Sequence, residues 1–325
     1  MLQGAFSNAR RLLEDLSWSL FRRRAPIDAL RPSVASGPIR YQPLQRLLLT
    51  DGVSRTLFDE YAAHRAAARG EDETGWVLMG LRGDHGAIAL ATLPAGANSD
   101  AGVAHLLFNS SAQAIGCLYV RQFDRRLTMV GHVHTHPGSL RHPSDGDLRG
   151  DIEWIKGLVS HSALKVHEGV FGIGTADAHP GYESLYVEQP EPHMQSHGEL
   201  RFSWYYLRSR DSQHRPLPIG VTLGPDLARP LHPVWSVVET HAERLERLFR
   251  QQRGVTFDVA EGKNGPELVV TVPLSEPRHA VRVALTEKDT RFYVRRGDDV
   301  FQADCPDERV DRGVYLLLAE LAERN

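Results

Sequence analysis

The sequence is nearly free of cysteine. Its two, Cys117 and Cys305, stand far apart and neither belongs to a Cys-x-x-Cys pair, which argues against a disulfide framework and against a thiolate zinc site and fits a reducing, cytoplasmic setting. The chain also lacks any run of about 18 apolar residues, the length a spanning helix needs. It lacks a basic excess: net charge is −3 and the pI about 6.6, which argues against nucleic acid as its main partner. What is present is ordinary for a folded chain, 41% hydrophobic and 24% charged over 325 residues, enough for one large domain or two of common size. Arg and Ala are frequent and Lys is scarce, a composition of bacterial character.

The first 24 residues carry Leu12, Leu13, Leu16, Leu20 and Phe21 beside Arg10, Arg11, Arg22, Arg23 and Arg24. A signal peptide puts its positive charge before an uninterrupted apolar core, whereas Glu14 and Asp15 break this one and three arginines follow it. An amphipathic helix docking on the body or on a partner is the expectation, with a membrane-surface helix as the lesser alternative. Pro26, Pro32, Pro38 and Pro43 then mark an extended arm, so residues 1–44 form one N-terminal unit.

Residues 45–207 read as a mixed α/β (α+β) domain. Strands are expected at Leu47–Leu49, Trp76–Leu81, Ala87–Leu93, Leu127–Val133, Val170–Ile173, Ser184–Val187 and Phe202–Leu207, the second and third joined as a hairpin around Gly83–Gly86. Helices are expected over Val53–Arg69, Ala104–Phe123 and Asp147–Leu158, the last with Leu148, Ile152 and Ile155 on one stripe. Residues 208–234, rich in Pro, Gly and Arg, read as a linker. The C-terminal unit, 235–325, reads as a smaller α+β domain. It starts with a helix (Val237–Gln252), continues with strands at Val255–Val259, Leu268–Val272, Ala280–Leu285 and Phe292–Arg295, and ends with a helix (Val314–Leu321). Lys263-Asn264-Gly265 forms the first hairpin turn.

The chemistry concentrates at His132, His134 and His136. Alternating residues of a strand share a face, so all three can reach one ion, and spacing alone does not choose among them. A carboxylate close by can complete three protein ligands and leave a fourth position for water, the pattern of catalytic rather than structural zinc. Pro137 stops the strand's ladder, six residues follow, and Ser144-Asp145-Gly146-Asp147 opens a helix. Ser144 at the N-cap and Asp147 at N3 fit a capping box, which is their plain structural role. A hydrolytic site also needs a general base. Glu73, entering an apolar strand, is a candidate, and Glu71 is as well placed by residue type alone. Asp145, Asp151 and Glu153 need no role beyond favouring a helix N-terminus, and His142 is expected to be exposed.

Glu73-Thr74-Gly75 ahead of the apolar run to Gly80, with His134-x-His136-Pro137, six residues and Ser144-x-x-Asp147, resembles the JAMM (JAB, MPN-plus) zinc metalloprotease family over roughly residues 45–190. The resemblance implies a mixed sheet flanked by helices, similar to the cytidine deaminases. It implies zinc-dependent hydrolysis of peptide or isopeptide bonds at the C-terminus of a ubiquitin-like protein. Carried over by residue, one Zn2+ would be held by His134, His136 and Asp147, Glu73 would be the general base, and Ser144 would steady the oxyanion. His132 departs from the bulky apolar or aromatic residue more usual there and is expected to lie beside the ligands or face substrate; Trp76 replaces a small residue beside the base. The implied partners are a ubiquitin-like substrate or conjugate and activating (E1-like) and conjugating (E2-like) proteins of one pathway, with neither nucleic acid nor membrane. A catalytically silent scaffold, or a hydrolase of a sulfur-carrier or small-peptide substrate, are the alternatives. The C-terminal element order resembles ubiquitin-conjugating enzymes and RWD domains, pointing to substrate or partner recognition with Cys305 inert.

Overall fold

The computed structural model describes residues 43–83, 85–96, 100–102, 105–161, 167–177, 191–305 and 307–323. The expected N-terminal helix and most of the Pro-rich arm, and the strand at Ser184–Val187, lie outside these residues. Among the described residues, no helix is long and apolar enough to cross a membrane.

The first part of the chain builds a mixed sheet. Strands β1 (Arg46–Thr50), β2 (Gly75–Arg82), β3 (Gly86–Pro94), β6 (Thr128–Thr135), β7 (Glu168–Thr175), β9 (Leu200–Arg208), β10 (Arg215–Pro216) and β11 (Ile219–Thr222) lie in the order β10-β9-β7-β6-β2-β3-β1-β11, with β8 (Met194–His197) paired to β9. Short strands β4 (Asp100–Gly102) and β5 (His105–Leu107) pair with each other. The centre pairs β2 antiparallel to β6 and β6 parallel to β7.

Both faces of that centre are covered, which is why its strands are apolar on both sides. Trp76 and Leu78 of β2 join one core with Val53, Leu57, Phe58 and Tyr61 of α1 (Asp51–Ala66). Val77 and Met79 join the other with Ile115 and Tyr119 of α2 (Ser110–Arg121). Trp76 therefore points away from the face that carries Val77, and it packs edge-on against Phe202. A third cluster, Ile155, Phe171 and Leu207, seats α3 (Asp145–His161) on the sheet. At Gly131 a side chain would collide with the Val170 carbonyl of the neighbouring strand, so glycine permits the β6–β7 pairing.

Three expectations need correction. Residues 208–234 are not a linker: β10 pairs with β9 and β11 with β1, and a 3-10 helix (Arg229–Val234) buries Leu231 and Val234. The helix expected from Ala104 begins at Ser110, because the Asn109 side chain caps it by accepting from the Ala112 N–H at 3.1 Å, and His105–Leu107 before it are strand. The C-terminal unit holds five strands, β12 (Thr256–Gly262), β13 (Gly265–Pro273), β14 (Ala280–Leu285), β15 (Thr290–Arg296) and β16 (Asp299–Ala303), in an antiparallel meander between α4 (Trp235–Gln251) and α5 (Val310–Glu323). Its inner face, with Val270, Val283 and Phe292, shares one core with α2 and the first sheet.

A polar knot ties the 3-10 helix to α1 and β3. The His232 ring pairs through Nδ1 with Glu60 and through Nε2 with the Thr92 carbonyl at 2.8 Å. Glu60 also accepts from Trp76 Nε1 at 2.7 Å, and Asp226 accepts from the Thr92 hydroxyl at 2.5 Å. Burial opposes charge on both partners, yet the pairing holds Glu60 below its ordinary 4.5 and His232 above its ordinary 6.5. The stabilisation is thus full between those two values. It fades in acid as pH falls through the lowered Glu60 pKa and in base as pH rises through the raised His232 pKa. Glu60→Ala is expected to lower stability by about 3 kcal/mol at pH 6, since it strands a buried imidazolium, and to flatten this pH dependence in urea unfolding curves.

Candidate metal centre

The site forms where β6 ends. A strand repeats every two residues, so His132, His134 and His136 all face the side covered by α2 and α3, and all three line one cavity. The backbone there is clamped between neighbours. The Thr135 N–H donates to the Thr74 carbonyl at 2.9 Å, and the His136 N–H to the Gly174 carbonyl at 2.8 Å.

Asp147 arrives from α3. Its N–H donates to Ser144 Oγ at 3.2 Å and its carboxylate accepts from the Ser144 N–H at 2.5 Å, a reciprocal capping box. The same carboxylate meets both imidazoles, Oδ1 at 3.2 Å from His134 Nε2 and Oδ2 at 3.3 Å from His136 Nε2. The two Nε2 atoms lie 3.0 Å apart. His136 Nδ1–H donates to the Leu140 carbonyl at 2.8 Å, which leaves Nε2 with its lone pair toward the cluster.

The donor set fits a tetrahedral ion. Bonds of about 2.0–2.1 Å to nitrogen and oxygen place tetrahedral ligands roughly 3.3 Å apart, close to the spacings found. Among the described residues, His134, His136 and Asp147 are the group whose ligand atoms gather in this way. Burial pulls His134 below its ordinary value. Burial opposes protonation of His136 too, but the Asp147 carboxylate and the Leu140 carbonyl outweigh it and raise its pKa. Burial likewise opposes charge on Asp147, but its two imidazole partners and the Ser144 N–H hold the carboxyl far below its ordinary range.

Glu73 is buried while Glu71 is exposed. Antiparallel pairing of Gly75 with His134 sets Glu73 just beyond the strand end, and it lines the same cavity as Ser144. His132 lies beside the cluster, its ring 5.8 Å from that of His134, and Nε2 meets Asp151 Oδ1 at 2.9 Å. Asp151, assigned no role from sequence, is buried and holds a second ring, with His214 Nε2 2.7 Å from Oδ2. The available signal was its position one helical turn after Asp147; His214, distant in sequence, gave none. His142 is exposed as expected, and its Nδ1 meets the Tyr205 hydroxyl at 2.9 Å.

Fold and site together define a mixed α/β domain that gathers two imidazoles and a carboxylate at the end of a central strand. Residues 54–178 match the family model of prokaryotic homologs of the JAB domain, and the mixed α/β architecture of this part of the chain is consistent with a JAB/MPN-type fold. A solved structure similar to the chain is the solution structure of protein DSY2949 from Desulfitobacterium hafniense. It is 14% identical over 55% of this chain and 94% of that one, with a TM-score of 0.35. No curated protein matches the sequence.

Ser144→Ala is expected to destabilise the protein by about 1 kcal/mol in urea unfolding, through loss of the cap acceptor, and Ser144→Gly by only a few tenths.

Proposed function

We propose that the protein is a zinc-dependent hydrolase of peptide or isopeptide bonds at the C-terminus of a ubiquitin-like protein. The observation that carries this reading is the tetrahedral spacing of His134, His136 and Asp147 with a buried carboxylate, Glu73, at the same cavity. Three protein ligands leave a position open, and zinc bound there would supply a Lewis acid and lower the pKa of water.

The remaining steps fall to the chain's own groups. Glu73 takes a proton from the attacking water and returns it to the leaving amine. Its burial, 8% exposed, keeps bulk water from competing for that proton. The Ser144 oxygen already accepts from the Asp147 N–H, so its O–H is free to donate to the oxyanion, a contact of the kind worth roughly 3 kcal/mol in the transition state. The Leu140 carbonyl fixes the His136 ring in the metal-ready tautomer. The C-terminal unit would recognise the substrate or the activating and conjugating partners of the same pathway.

The test is cleavage of an isopeptide-linked ubiquitin-like conjugate by zinc-loaded protein. Glu73→Gln is expected to lower kcat at least about 100-fold while the metal content, measured by mass spectrometry, stays at one zinc per chain. Full activity in that variant would overturn the assignment of the base. Failure of the wild-type chain to take up zinc would overturn the reading as a whole.

A further inference from the structure

One member of the cluster depends on a loop rather than on the sheet. His134 stands within β6, whereas His136 follows its last residue, Thr135. The His136 ring is oriented by the Leu140 carbonyl, which accepts from Nδ1–H at 2.8 Å. That carbonyl belongs to residues 138–143, which are neither helix nor strand. Gly138 opens the loop in the left-handed region, φ +78°, a conformation suited to glycine. No ladder of backbone hydrogen bonds fixes such a segment, so the placement of the Leu140 carbonyl has to come from side chains.

The next residue, Arg141, is anchored twice. Its carbonyl accepts from the Tyr205 hydroxyl at 2.8 Å, and its Nε donates to Asp177 Oδ2 at 2.7 Å. Asp177 is fixed in turn, its Oδ1 accepting from the Thr175 hydroxyl at 2.6 Å. Tyr205 reaches the loop from β9, two strands away from β6. It pairs with Phe171, and Phe171 with His132, so the tyrosine stands on the same face of the sheet as the histidines. Its ring is 2% exposed and packs against that of His193. Burial pushes the Tyr205 hydroxyl up to about 12, so it keeps its proton and stays a donor. The same oxygen lies 2.9 Å from His142 Nδ1, so two consecutive loop residues meet one hydroxyl. A phenylalanine ring would fill the same space in the core; what the hydroxyl adds is its hold on the loop.

We propose that Tyr205 is a positioning residue of the metal centre: through the Arg141 carbonyl it holds the loop so that the adjacent Leu140 carbonyl keeps His136 Nε2 turned toward the ion. The Arg141–Asp177 pair is the second anchor of the same loop. The proposal rests on the zinc reading of the site given above. Groups that orient a ligand imidazole change metal affinity about 10–100-fold when they are lost. Tyr205 acts one step behind such a group, which places loss of its hydroxyl alone at the lower end of that range.

The test measures metal binding without turnover. The full chain, stripped of metal, is titrated with zinc against a chromophoric chelator and with cobalt(II), whose visible absorption reports coordination geometry. Tyr205→Phe keeps the ring and removes only the hydroxyl. It is expected to weaken zinc binding about tenfold and to alter the cobalt spectrum, and with Arg141→Met added the loss reaches about 100-fold. Val283→Ala, which opens a cavity in the C-terminal core, is expected to lower the urea midpoint of the metal-free protein at least as far. It leaves zinc affinity and the cobalt spectrum as in the wild type, which separates positioning from lost stability. Unchanged zinc affinity or an unchanged cobalt spectrum in Tyr205→Phe, equal changes in Val283→Ala, or failure of the wild type to bind zinc would each overturn the proposal. Zinc binding that depends on Tyr205, in a chain that cleaves no isopeptide-linked conjugate, would sustain it while removing the hydrolase reading. Wild-type zinc affinity in a Tyr205→Phe variant that still cleaves the conjugate would overturn it and leave the hydrolase reading standing.

Discussion

The Asp147 carboxylate answers to two structures at once. Through the capping box it belongs to α3, locked by the Ser144 N–H at 2.5 Å. Through its two oxygens it belongs to the histidine cluster, within 3.3 Å of both Nε2 atoms. A helix N-terminus favours an anion, so the charge the cluster needs sits where the backbone already stabilises it. The helix cap and the approach to both imidazoles are therefore one arrangement, and the position of the carboxylate is set by main-chain geometry.

The histidines depend on an equally rigid support. They stand on the central strand β6, held on one side by β2 and on the other by β7, in a sheet covered on both faces. The β2–β6 register carries Glu73, sixty-one residues before His134 in the chain, to the strand end where His136 lies. The core under β2 continues through α2 and α4 into the C-terminal meander, and the Glu60–His232 pair ties α1 to the 3-10 helix that leads into α4. The C-terminal unit is thus joined to the site-bearing sheet by shared packing as well as by chain connectivity.

Local periodicity made much of this legible. The alternation of His132, His134 and His136, the Ser144–Asp147 spacing and the apolar run after Glu73 are short-range patterns, and the structure brings those side chains to one cavity. The choice between Glu71 and Glu73 needed burial, which residue type does not encode. What stayed hidden was long-range. Residues 208–234 read as a linker because Pro and Gly crowd them, yet edge strands tolerate such residues, and β10 and β11 are edges. Strand β16 escaped because Asp299–Ala303 is exposed along most of its length and shows no alternation. Asp151 looked like one more acid at a helix start; only the fold brings His214 to its second oxygen. Trp76 looked like a neighbour of the base, but the strand's two-residue period turns it to the opposite core.

The central claim is that two of three alternating histidines and the capping aspartate form one tetrahedral site. X-ray absorption at the zinc edge of the zinc-loaded full chain tests it most directly. The account predicts four nitrogen or oxygen neighbours at about 2.0–2.1 Å, with the scattering pattern of two imidazoles. A pattern of three imidazoles would mean that His132 is a ligand, and a six-coordinate oxygen shell would mean that the His134–His136–Asp147 cluster does not hold the ion; either would contradict the account.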